Sequence, residues 1–100
     1  MALQITESCG IFCVHGTLNL NNATILRRHI SRYLGSDRRI VINLERISKI
    51  DANGALALQQ LYDFALKRNR TLTILGSTNE QVFSALNKAN AMYILGAHHA

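Results

Sequence analysis

The chain has 100 residues, of which 48% are hydrophobic and 17% charged, with no proline and no tryptophan. That balance excludes intrinsic disorder and collagen-like or low-complexity structure, and the length suits one domain with a single core. A net charge of +5 leaves nucleic acid, anionic lipid or an acidic protein face open as partners.

The basic residues scatter over several segment ends: Arg27, Arg28 and Arg32, then Arg38 and Arg39, then Arg46 and Lys49, then Lys67, Arg68 and Arg70. Scatter of this kind favours a solvated surface over a nucleic-acid footprint and leaves an acidic protein partner as the remaining reading. The apolar runs at 40–42 and 55–58 fall far short of the ~20 residues a bilayer span needs. Gln4, Thr6 and Glu7 break up what would be the apolar part of a secretory signal. The expectation is a cytoplasmic protein without membrane insertion. Cys9, Cys13 and His15 lack both a fourth ligand and the C-x2-C spacing of a zinc site, so no metal is expected. His98 and His99, at the end of the chain, carry no argument.

In chain order, residues 2–7 and 11–15 read as a β-hairpin turned by Ser8-Cys9-Gly10. Asn21 or Asn22 then caps an amphipathic helix with Leu26, Ile30, Tyr33 and Leu34 inward, stopped by Gly35. The run from Arg39 to Leu44 is almost continuously apolar, which predicts a strand covered on both faces. After a loop, a second helix is predicted from about Asn53 to Arg68, followed by a strand from Thr71 to Leu75. Ser77 or Thr78 is the expected cap of a third helix, Glu80 to Ala89, and Met92 to Leu95 reads as a short strand or packed tail. The order β-β-α-β-α-β-α predicts an α/β fold with a mixed sheet of four to five strands and three main helices, over residues 1–100 as one domain.

Enzyme chemistry needs converging groups, and the sequence supplies few. It has no G-x-S-x-G, no H-E-x-x-H and no phosphate-binding glycine pattern, and its six acidic residues are dispersed. No catalytic residue and no cofactor are expected. One segment stands out, where the apolar strand ending at Asn43-Leu44 leads through Ile47 and Ile50 into Asp51-Ala52-Asn53-Gly54 and an apolar helix. Asp51 or Asn53 can accept from the free N–H groups of the first turn, and Gly54 permits close approach. As a plain N-cap this needs no partner; as a recognition edge, its dipole and free donors would suit an acidic group.

This segment resembles the signature of the STAS domain, the family of anti-sigma factor antagonists. Asn43-Leu44, the apolar pair Ile47 and Ile50, and Asp51-Ala52-Asn53-Gly54 correspond to its Asp/Asn-Leu, loop and Asp-Ser-Ser-Gly. Upstream, Gly16-Thr17-Leu18-Asn19 is similar to the family's Gly-x-Leu-Asp, and the strand through Leu72 and the helix from Val82 to Leu86 fit its later elements. The resemblance implies a regulatory module that binds an anti-sigma factor of histidine-kinase-like ATPase fold. In the family that partner phosphorylates the first serine after the motif aspartate, which breaks the complex. Ala52 holds that position and has no hydroxyl, while Asn53 and Asn19 replace a serine and an aspartate. The implied protein lacks the serine switch, with Ser48, Thr17, Ser77 and Thr78 as substitute acceptors to consider. The implied interface comprises Thr17, Leu18, Asn19, Lys49, Asp51, Ala52, Asn53, Gly54, Ala55 and Leu56. The alternative implied function is the cytoplasmic STAS subunit of an ABC-type phospholipid transport complex.

Overall fold

The computed structural model describes residues 3–36 and 39–96, so Arg38, His98 and His99 lie outside the described residues. The elements run β1 (Leu3–Ser8), β2 (Ile11–Leu18), α1 (Ala23–Ser36), β3 (Arg39–Asn43), β4 (Ile47–Ile50), α2 (Ala52–Lys67), β5 (Thr71–Leu75) and α3 (Glu80–Lys88). A short 3-10 turn, Met92–Ile94, closes the described chain, and an isolated bridge joins Leu95 to Ile74.

The first hairpin forms because Cys9 and Gly10 both adopt positive φ, at 52° and 82°, as a two-residue turn between right-twisted strands requires. The Glu7 carboxylate accepts from the Gly10 N–H at 2.9 Å and fixes the turn. β2 is the hub of the mixed sheet. It pairs antiparallel with β1, parallel with β3 through residues 11–13, and parallel with β4 through residues 16–18. The register shifts between Gly16 and Thr17, where Gly16 takes φ 90°, and this break in the ladder lies where β2 passes from one partner to the other. β5 pairs in parallel with β3 along its full length.

Burial alternates along the strands: Phe12 and Val14, Ile40 and Ile42, and Leu72 and Ile74 are buried, whereas Cys13, Val41 and Thr73 are half-buried. The core gathers on one face of the sheet, with Leu26, Ile30 and Leu34 of α1, Leu58 and Leu61 of α2, and Val82 and Leu86 of α3. The expectation that β3 is covered on both faces is therefore corrected. Its apolar run reflects β-branched residues suited to a pleated strand, and only every second one enters the core. The segment 47–50, expected as loop, is strand β4.

α3 is capped by Asn79, which replaces the expected Ser77 or Thr78. The Asn79 Oδ1 accepts from the N–H groups of Gln81 and Val82 at 2.9 and 3.4 Å. Its Nδ2 lies 3.1, 3.0 and 2.9 Å from the carbonyl oxygens of Leu44, Glu45 and Ile47. One side chain thus caps a helix and ties down the β3–β4 turn. The Thr78 hydroxyl donates to the Glu45 carboxylate instead.

Candidate functional site

The carboxyl ends of β2 and β4 meet the first turn of α2, and Asp51 organises the junction. It is extended (φ −107°, ψ −175°) and its Oδ1 accepts from the Gly54 N–H at 2.9 Å, the N-cap expected from sequence. Its Oδ2 accepts from the Leu20 N–H at 3.4 Å, and its own N–H donates to the Leu18 carbonyl at 3.2 Å. The carboxylate therefore joins the loop after β2 to the start of α2.

That loop is held by asparagines. Asn22 accepts from the Asn19 N–H at 2.9 Å and donates to the Thr17 carbonyl at 2.8 Å, while the Asn19 side chain accepts from the Asn21 N–H at 3.0 Å. Asn22 faces back into the loop instead of capping α1 through its side chain. Short amides suit this work because they hydrogen-bond backbone groups two or three residues away.

Among the residues expected at the interface, Lys49, Asp51, Ala52, Asn53 and Leu56 are exposed and Thr17 and Asn19 are half-buried. Leu18, Gly54 and Ala55 are buried, so these three shape the edge from within and offer no contact surface. Gly54 has a distinct reason to lack a side chain, because it packs directly on the backbone of β2.

The exposed residues do not form one patch, since successive helical positions point ~100° apart. Asp51 and Ala52 line a groove of about 290 Å³ against α3, with Gln81, Ser84 and Lys88 on its far side. Asn53 and Leu56 line a groove of about 130 Å³ against α1, with Leu20 and Thr24 opposite. Leu20, 67% exposed, was missed in the sequence reading. Its signal was an apolar residue inside the asparagine-rich loop. Ser84 and Lys88 carried no such signal, because their place beside Ala52 depends on how α3 packs.

Ser48 is exposed on β4, while Ser77 is half-buried. Cys9 and Cys13 are free thiols. Among the described residues no group of three or more His, Cys, Asp or Glu side chains is placed to hold a metal ion, and no helix is long and apolar enough to cross a membrane.

The profile of the STAS domain matches residues 1–95, and the chain belongs to that family. Solved structures share the fold at low identity. A putative anti-sigma factor antagonist from Thermotoga maritima aligns over 98% of this chain and 86% of its own, at 16% identity and TM-score 0.74. The Bacillus cell-fate determinant SpoIIAA in its phosphorylated form aligns over 98% and 92%, at 16% identity and TM-score 0.69. A sulfate transporter family protein from Wolinella succinogenes aligns over 91% and 75%, at 22% identity and TM-score 0.69. No curated protein matches the chain in sequence. As a STAS domain, the chain is a regulatory protein-interaction module and not an enzyme.

Proposed function

We propose that this chain binds a kinase-type anti-sigma factor through the α2 edge, as an anti-sigma factor antagonist does, but without a serine switch. The observation that carries the reading is Ala52. It is the first residue of α2, directly follows the capping Asp51 and is exposed at the mouth of the α2–α3 groove. A phosphoserine there would add roughly −1.5 to −2 charges to a docking edge; alanine removes that control and leaves the edge permanently available. Lys49, with Lys88 across the α2–α3 groove, supplies a basic surface for the partner beside Ala52.

The test is incubation with the anti-sigma factor kinase of the same organism and ATP, followed by mass spectrometry and a binding assay. The wild type should stay bound and unmodified, while Ala52→Ser should accept phosphate and be released. Phosphate on Ser48, Thr17, Ser77 or Thr78 of the wild type would overturn the unswitched reading. Binding to an ABC-type ATPase in place of the kinase would replace it with the transport-complex reading.

A further inference from the structure

A second surface lies along the seam between α1 and α2, away from Ala52. α1 turns Leu26, Ile30 and Leu34 into the core, which leaves Arg28 and Arg32 exposed at i and i+4 beside Arg27. From α2, Gln60, Leu61 and Phe64 complete a groove of about 490 Å³. Leu61 is fully buried and Phe64 half-buried, so the floor is apolar and its rim carries arginine. The Arg68 guanidinium lies over the Phe64 ring at 4.7 Å and adds a fourth cation.

Among the described residues no carboxylate lines this groove. The acids among the described residues are used elsewhere: Glu7 holds the hairpin turn, Glu45 meets Thr78, Asp51 caps α2, and Asp63 faces the Tyr93 hydroxyl. Glu80 sits in the first turn of α3. Like charges at i and i+4 repel and weaken a helix, and nothing in the described chain offsets this for Arg28 and Arg32. The charge cluster is a cost to α1 that an external anionic group would relieve.

The groove continues toward the start of α2. Arg27 Nη1 donates to Gln60 Oε1 at 2.6 Å and forms a rib across the seam. Beyond it lie Leu20, 67% exposed, and Leu56, 49% exposed. From Asn53 to Arg68 the helix rises ~22 Å, the length of about 15 helical residues. One end of this strip is therefore apolar and the other basic.

We infer that the α1–α2 seam docks an acidic amphipathic helix of a protein partner, its carboxylates over Arg28 and Arg32 and its apolar end over Leu20 and Leu56. Charge complementarity selects the acidic end, and the helix-in-groove mode uses anchors at i, i+3 and i+4. A nucleic-acid backbone would match the arginines but not the exposed leucines on the same strip. A small anion would occupy only the basic half.

The probe is a synthetic 15-residue helical peptide with leucines at one end and glutamates at i and i+4 at the other. It is titrated into the ¹⁵N-labelled protein beside a twin carrying lysine for glutamate. The acidic peptide should shift the amide signals of Arg28, Ser31, Gln60 and Phe64, and the twin should not bind. The double variant Arg28→Glu/Arg32→Glu should bind the acidic peptide at least tenfold more weakly, with unchanged circular dichroism and Tm. Absence of shifts, shifts confined to other surfaces, or equal binding by the double variant would overturn the inference. So would stronger shifts of the same amides by a 15-nucleotide single strand or by phosphatidylglycerol vesicles. None of these outcomes depends on whether the α2 edge binds an anti-sigma factor.

Discussion

A β-carbon at position 54 would stand 2.7 Å from the Leu18 carbonyl oxygen. The end of β2 and the first turn of α2 thus touch backbone to backbone, with Ile50 Cγ1 closing the other side at 2.9 Å. Helix propensity alone would favour alanine over glycine by ~1 kcal/mol. Here the neighbour is main chain and cannot swing aside. Gly54→Ala should therefore destabilise the protein by about 1–3 kcal/mol in urea unfolding, the usual scale of overpacking. Gly35→Ala is the control: nothing lies within 4 Å of its β-carbon position, so it should be neutral or stabilise by up to ~1 kcal/mol.

Removing the carboxylate at position 51 should release two groups at once. Asp51→Ala loses the cap on Gly54 and the bond from Leu20, with an expected cost of about 1–2 kcal/mol. Asp51→Asn keeps an acceptor oxygen for the Gly54 N–H and should recover most of that. Hydrogen exchange separates the two roles, because the Leu20 amide should exchange faster in Asp51→Ala.

Asn79 does work that neither a hydroxyl nor a carboxylate can repeat. Asn79→Ala should cost about 2–3 kcal/mol, combining a lost cap with carbonyls of the β3–β4 turn left unpaired. Asn79→Asp retains the acceptor for Gln81 and Val82, but turns a carboxylate oxygen toward the carbonyls of Leu44, Glu45 and Ile47. It should remain clearly less stable than the wild type by thermal unfolding. Equal stability of Asn79→Asp and wild type would show that the donor side of the amide contributes nothing.

Cys9 adopts φ 52°, a conformation that asparagine tolerates better than cysteine. Cys9→Asn should raise stability by ~0.5–1 kcal/mol and remove an exposed thiol. Chemical unfolding under reducing conditions measures the gain without interference from oxidation.

Sequence reading was most reliable where one local rule dominated. Asp51 before an apolar helix, the Cys9-Gly10 turn and the 3.6-residue spacing of Leu26, Ile30 and Leu34 each express short-range physics, and each appears in the structure. β4 was missed because it has four residues and pairs with the end of β2, a partnership set 31 to 32 residues away. Asn79 was passed over for Ser77 and Thr78 because its advantage lies in the donor side of its amide, used by carbonyls 32 to 35 positions earlier. At the candidate site, burial of Leu18 and Ala55 was not legible, because it depends on which way α2 rolls against the sheet. The division of Ala52 and Asn53 between two grooves likewise needs the positions of α1 and α3.

The amide of Asn79 also bears on the order in which the molecule assembles. α3 has nine residues, shorter than the ~12–15 at which isolated helices begin to persist in water. Its cap is held in place by carbonyls that converge only after β3 and β4 have turned against each other. α3 therefore has no independent route to its structure: its cap closes only where the β3–β4 turn is already in place. A ribosome-bound chain ending near Thr78 would have its central strands without the side chain that locks their turn.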